Sequence, residues 1–354
     1  MRKFFALIFT FILQFGVLHA CTTFFINKDG QLIFGRNYDW ITDAGMVCTN
    51  LKGLSKTSIK TQDGETISWV SQYGSITFNQ YGKEFPTGGM NEKGLVVELM
   101  WLDETKYPTA DNRPAIGVLQ WIQYQLDNCS TIEEVIATDK KLRIATIGTT
   151  PLHYLIADAN GNAATIEFLD GKMIAHKGND LSLPVLTNSV YDESVKSYKN
   201  ASSSGGSSFA YGNNSLERFG EACSMVQQFK TGKSNKPVID YAFDILAEVA
   251  QGNSTKWSIV YDISNKTIQF KTNRFKQVKS LNFSAFDFTC TATAKVWDMN
   301  QAATGNINTK FENFSTDINK RIVETAASES NREVSISEKS REALWQYAGG
   351  IKCQ

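Results

Sequence analysis

Apolar and polar positions along this chain fall into blocks of different period. The first block holds Arg2 and Lys3, an apolar run from Phe4 to Leu18, and the small residue Ala20. A positive start, a short apolar stretch and a small residue before a break are the anatomy of a secretory signal peptide, and the run is short for a bilayer span. From residue 21 the pattern alternates. Residues 21–27 (CTTFFIN) and 31–38 (QLIFGRNY) flank Lys28-Asp29-Gly30, and two β-rich runs about an Asp-Gly turn predict a hairpin. Strand-like runs follow at 67–73, 75–81 and 95–102. Residues 114–129 predict a helix with Pro114 at its start and Ile116, Leu119, Ile122 and Leu126 on one face. Thr131, with Glu134 three residues on, opens a second helix over 131–140 as a capping box. Strands resume at 153–158, 164–168 and 183–187. Residues 202–208 (SSSGGSS) predict a flexible loop by composition. Helices are expected at 215–229 and 237–250, and a hairpin at 257–263 and 267–272.

From residue 308 the chain is polar and helical in pattern, predicting a helical C-terminal extension over 308–354, on the surface or at a subunit contact. No repeat or linker interrupts residues 21–354, so one domain is expected after a signal segment at 1–20. Strands, helices, strands, helices, strands is an order that suits an α+β sheet sandwich covered by helices better than alternating βαβ units.

Composition narrows the function. The 354 residues carry 36 basic and 36 acidic side chains, so the chain has no electrostatic handle on nucleic acid. Twelve per cent aromatic residues and six Pro argue against disorder. Past residue 20 no stretch is long and apolar enough for a stable membrane span. His153 and His176 stand without partners at ligand or triad spacing, and no Cys-x-x-Cys pair occurs, so no metal site is expected. Cys48, Cys129, Cys223, Cys290 and Cys353 show no disulfide framework and read mostly as small buried residues.

Cleavage after Ala20 would make Cys21 the first residue, and two meanings compete there. Leu18-His19-Ala20-Cys21 loosely resembles a lipobox, with the Cys lipidated as a tether; the other meaning is a catalytic terminal thiol. In the expected hairpin Arg36 and Asp39 return alongside Cys21. A neighbouring guanidinium favours the thiolate. A free α-amine of pKa about 7.7–8.0 takes the thiol proton, and a carboxylate orients that amine. The bland alternative is a buried Cys beside an ion pair.

Resemblance weighs on this choice. Cys-Thr at a processed start, followed by Phe34-Gly35-Arg36-Asn37-Tyr38-Asp39, resembles the opening of the choloylglycine hydrolase family, which includes bile salt hydrolases and penicillin V acylases. In family order come Gly88-Gly89-Met90-Asn91-Glu92-Lys93-Gly94-Leu95, Leu186-Thr187-Asn188, Ser215-Leu216-Glu217-Arg218-Phe219 and residues 257–262 (WSIVYD). The resemblance implies an N-terminal-nucleophile hydrolase with a four-layer αββα sandwich, cutting a linear amide with no metal or organic cofactor. Carried over, Cys21 is nucleophile and base, Arg36 and Asp39 hold thiol and amine, Asn188 donates to the tetrahedral oxyanion, and Arg218 completes the polar network.

Trp101 stands where many bile salt hydrolases carry a short polar residue, and Trp40 directly follows Asp39. Two Trp near the thiol imply an apolar acyl-binding pocket and resemble the exported penicillin V acylase-like branch, also associated with N-acyl homoserine lactones. The short Asn188–Arg218 interval lacks a loop used for tetramer assembly in one branch, which leaves homo-oligomerisation open. The expectation is an exported, periplasmic or secreted cysteine amidohydrolase for a small amide with an apolar acyl group. The alternatives are a conjugated bile salt hydrolase and a non-catalytic, lipid-anchored binding protein.

Overall fold

The computed structural model describes residues 20–203 and 214–354. Two large sheets dominate. One has seven strands in the spatial order Val185–Leu186, Thr22–Lys28, Gln31–Asp39, Thr255–Asp262, Thr267–Thr272, Lys279–Asn282, Gly305–Asn306. The other has nine, in the order Lys172–Lys177, Ala163–Leu169, Leu152–Ala157, Val96–Trp101, Pro86–Asn91, Ser75–Asn79, Met46–Asn50, Lys295–Asp298, Glu312–Asn313. The helices are α1 (Val118–Asn128), α2 (Ile132–Ala137), α3 (Tyr191–Ser203), α4 (Ser215–Lys230), α5 (Val238–Glu248), α6 (Thr316–Ser330) and α7 (Glu338–Tyr347).

The sheets face one another across a buried core. Phe78 of the nine-stranded sheet meets Tyr261 and Phe270 of the other edge-on, at ring separations of 6.1 and 5.4 Å, and Trp297 meets Phe270 at 5.8 Å. All four rings are buried, and each side chain of this size contributes about 1.5–3 kcal/mol by leaving water. Helices α4 and α5 cover the outer face of the seven-stranded sheet, while α1 and α2 cover the nine-stranded one. The result is the expected four-layer αββα sandwich.

The first hairpin forms where its turn chemistry predicts. Lys28 pairs with Gln31, and both turn residues, Asp29 (φ 52°) and Gly30 (φ 77°), adopt the left-handed conformation that a tight two-residue hairpin demands. The capping box at Thr131 is present with both of its hydrogen bonds, and Asn214 and Glu217 make another at the start of α4. Three expectations are corrected. Helix α1 starts at Val118, not at Pro114, because Ala115 and Ile116 pair in parallel with Arg143 and Ile144. Ser202 and Ser203 end α3 instead of opening a loop, while residues 204–208 lie outside the described residues. The polar C-terminal region is not a bare surface helix: α6 buries Ile322, Val323, Ala326 and Ala327. Cys290 and Cys353 form a disulfide; Cys48, Cys129 and Cys223 are buried and free.

Candidate active site

Strand register decides what meets Cys21. Thr22 lies opposite Asn37 and Thr23 opposite Arg36, so Cys21 falls opposite Tyr38. Cross-strand partners share a face, and so do residues two apart. Cys21, Thr23, Arg36 and Tyr38 therefore point into the gap between the sheets, where the Thr23 hydroxyl reaches Met100 Sδ of the second sheet at 3.4 Å. The Cys21 thiol is 4% exposed and points at the Asp39 carbonyl, 3.8 Å away.

Arg36 is fully buried and spans the gap. One amino group donates to the Thr87 carbonyl (2.9 Å) and to the Glu98 carboxylate; the other donates to the Leu99 carbonyl (3.1 Å). Its guanidinium also lies 4.7 Å from the Tyr38 ring centroid. Glu98 receives the Tyr261 hydroxyl as well. Burial pushes the Glu98 carboxyl up to about 7, against the pull of Arg36 and Tyr261. Gly88 sits across from Glu98, and any side chain there would occupy the space of that carboxylate. The Gly-rich block thus leaves room for the group that anchors Arg36. In the same block, Asn91 donates to the Leu126 and Cys129 carbonyls and tethers the end of α1.

Burial dominates the charges. It raises the Cys21 thiol above its ordinary value; Arg36 and Arg218 pull it down only in part, and Asp39 adds to the rise. Asp39, 1% exposed, is pushed by burial up to about 7, with Thr255, Arg218 and Arg36 pulling the other way. Neither Asp39 carboxylate oxygen makes a well-formed hydrogen bond.

Arg218 is the hub of the second half. Its guanidinium donates to the carbonyls of Ala20 (2.9 Å) and Cys21 (2.7 Å), to the Thr22 hydroxyl (2.7 Å) and to Asn188 Oδ1 (3.0 Å). With its oxygen held by Arg218, the Asn188 amide turns its nitrogen toward the Trp101 carbonyl at 2.9 Å, leaving one N–H unused. Ser215, the first residue of α4, accepts the Asn188 backbone N–H at 2.8 Å. The Ser-x-x-Arg spacing thus places both anchors of Asn188 on one helical turn.

A cavity of about 470 Å³ opens beside the thiol. Cys21, Asp39, Trp40 and Trp101 line it; Arg36, Asn188 and Arg218 do not. The two Trp rings lie 6.2 Å apart, with Trp40 Nε1 donating to the Tyr81 hydroxyl (2.9 Å) and Trp101 Nε1 to Asp103 (2.6 Å). Leu99, Leu119 and Leu152 complete an apolar lining. Among the described residues no cluster of three His, Cys, Asp or Glu side chains could hold a metal, and no helix is long and apolar enough to cross a membrane.

Sequence reasoning missed Glu98 and gave Tyr261 no role of its own; His153, read as neither a metal ligand nor a triad member, is a structural brace. A lone acid inside the apolar run VVELMW was the available signal for Glu98. His153 has acceptors on both ring nitrogens, Glu167 Oε1 at 3.1 Å and the Thr187 carbonyl at 2.7 Å. It braces the backbone just before Asn188.

Residues 21–296 match the profile of the linear amide C–N hydrolases, choloylglycine hydrolase family. The chain is 28% identical to a penicillin V acylase of Pectobacterium atrosepticum over 302 residues, covering 71% of this chain and 77% of that protein. The solved penicillin V acylase of Agrobacterium tumefaciens superposes with a TM-score of 0.74 at 26% identity, over 83% of this chain and 98% of that one. A mutant of the conjugated bile acid hydrolase of Clostridium perfringens shares the fold, with a TM-score of 0.68 at 19% identity, over 80% of this chain and 98% of that one.

Proposed function

Because the chain belongs to the choloylglycine hydrolase family and is a linear amide C–N hydrolase, we propose that it is an exported cysteine acylase activated by removal of residues 1–20, with Cys21 as nucleophile. The observation that carries this reading is the buried Asp39 carboxylate beside Cys21, which lacks a well-formed hydrogen bond. In the uncut chain the Cys21 nitrogen is an amide and no base. Cutting after Ala20 turns it into an amine, and an ammonium next to Asp39 pairs with that buried carboxylate.

In the cut chain the thiol proton passes to the α-amine, and sulfur attacks the amide carbonyl carbon. The unused N–H of Asn188 donates to the resulting oxyanion; loss of such a donor typically costs about 10²–10³ in rate. Collapse breaks the C–N bond, and the leaving amine takes the proton from the α-ammonium. Water, losing a proton to the same amine, opens the thioester and releases the acid. Arg36 and Arg218 supply positive charge that favours the thiolate against its burial.

The apolar cavity with Trp40 and Trp101 suits an aromatic or aliphatic acyl group, with penicillin V and N-acyl homoserine lactones as the substrate types. An assay panel of these with glyco- and tauro-conjugated bile salts decides the class; preference for bile salts reverses the ranking. For the mechanism, Cys21→Ser is expected to lose activity by at least about 10², and a variant retaining one residue ahead of Cys21 is expected to be inactive. Full activity of the extended variant sinks the mechanism, and a lipidated mature N-terminus supports a tethered binding protein instead.

A further inference from the structure

The family profile ends at residue 296, yet part of the cavity wall comes from beyond it. Val334, Ser335, Ile336, Ser337, Ser340 and Leu344 line the same cavity as Cys21. Ile336 and Leu344 pack with Leu119 against the cluster of Ala44, Tyr81 and Ala326. Tyr81 takes the Trp40 indole N–H at 2.9 Å and donates to Ser330 Oγ at 3.0 Å. A continuous contact path therefore runs from the Trp pair beside the thiol, through Tyr81, to the linker and helix at the C-terminus.

That segment is fixed from several sides. Asn319 of α6 accepts the Lys83 backbone N–H at 2.9 Å and donates to the Trp345 carbonyl of α7 at 2.8 Å. Phe85 and Tyr347 stack edge-on at 5.2 Å, and the Tyr347 hydroxyl donates to the Thr57 carbonyl at 2.9 Å. After α7, Lys352 and Cys353 pair with Ser55 and Leu54, and the Cys290–Cys353 disulfide locks this last strand. A wall held this way has a defined position, and a wall of defined position measures whatever lies against it.

We propose that Ile336 and Leu344, presented by the C-terminal strap, are specificity-determining residues that set the length of acyl group the cavity accepts. The proposal rests on the reading that the acyl group of the substrate occupies this cavity. Each methylene that finds apolar contact instead of water changes affinity by about fourfold. The profile of activity against acyl length should therefore break where the chain meets these two side chains.

The test uses the mature full-length protein and a series of straight-chain N-acyl amides, two to fourteen carbons long, on one amine. In one arm kcat/KM is measured across the series; in the other, affinity of the same series for Cys21→Ala protein is measured by calorimetry. In the Ile336→Ala/Leu344→Ala variant the optimum is expected to move to acyl groups about two to four carbons longer, each added carbon gaining about fourfold. Ser340→Phe, which adds bulk at an exposed position of the same wall and gives up only the hydroxyl contact to Ser337, is expected to move it shorter. Chain-length profiles that coincide with the parent's in both variants overturn the proposal, and an unchanged circular dichroism spectrum certifies the fold in each. If the parent hydrolyses none of the amides, the acylase reading fails, while the calorimetric arm still reads the wall.

Discussion

Asp39 lies buried beside Cys21, where the proposed cut would place a new amine. Uncut, its carboxyl is buried and stands near 7, against 3.8 for a free aspartate. Between about pH 4 and pH 7 the folded uncut chain holds a proton that the unfolded chain has lost. Stability from this group is therefore present below about pH 4 and is lost as pH rises through about 7. The uncut protein is expected to lose Tm between about pH 4 and pH 7, and Asp39→Asn, which stays neutral, is expected to flatten that slope. Glu98, also near 7, contributes equally to both proteins and cancels in the difference. Parallel Tm–pH curves for parent and variant would contradict the assignment. On the proposed mechanism the same substitution in the cut enzyme removes the partner of the α-ammonium, and a fall in kcat/KM of about a hundredfold is expected, the scale of a misplaced reacting group.

At the scale of elements, the C-terminal pair α6–α7 is held by a disulfide whose cysteines are 63 residues apart. A crosslink closing a loop of that length stabilises by up to about 4 kcal/mol in the chain-entropy description. Cys290→Ser/Cys353→Ser is expected to lower the unfolding free energy toward that bound in a denaturant titration; an unchanged free energy would show that α6 and α7 dock without it. Beneath α7 lies a buried charge network: Lys56 bonds Glu84 (2.5 Å) and Asp127 (2.8 Å), and Lys83 bonds Glu84 (2.6 Å). Burial alone would raise Glu84, but the two lysines win and hold it near 2.

Little of this region was legible in the sequence, because nothing local marks which cysteines meet or which lysines are buried. Elements carried by local chemistry were legible: the Asp29-Gly30 hairpin, the Thr131 capping box, and helices α4 and α5. The strand Pro86–Asn91 was not, since a Pro and two Gly read as a turn; it is a strand because neighbours pair with it on both sides. Helix α3 is polar over most of its length, and its apolar stripe is thin, only Tyr191, Val195 and Tyr198. In the site, Cys21, Arg36 and Asp39 sit on one hairpin, so a register argument brings them together. Glu98 and Tyr261 join through packing of two sheets, which no local pattern encodes.

At the scale of the whole molecule, Arg36, Glu98 and Tyr261 tie the two sheets together directly behind the thiol. Arg218 ties α4 to the segment Ala20–Thr22 and to Asn188. The sandwich thus gathers groups from five distant stretches of chain around Cys21, and the C-terminal strap lines the cavity beside it. The proposed function stands on a cut ahead of Cys21 that makes amine and thiol a single catalytic unit. The most direct measurement is intact-mass spectrometry of the mature protein, acid-quenched during turnover of penicillin V, with the adduct located by peptide mapping. The expected product is a chain beginning at Cys21 that carries the acyl group of the substrate on that cysteine. A chain that turns over substrate with residues still ahead of Cys21, or an acyl group found on another residue, would contradict it.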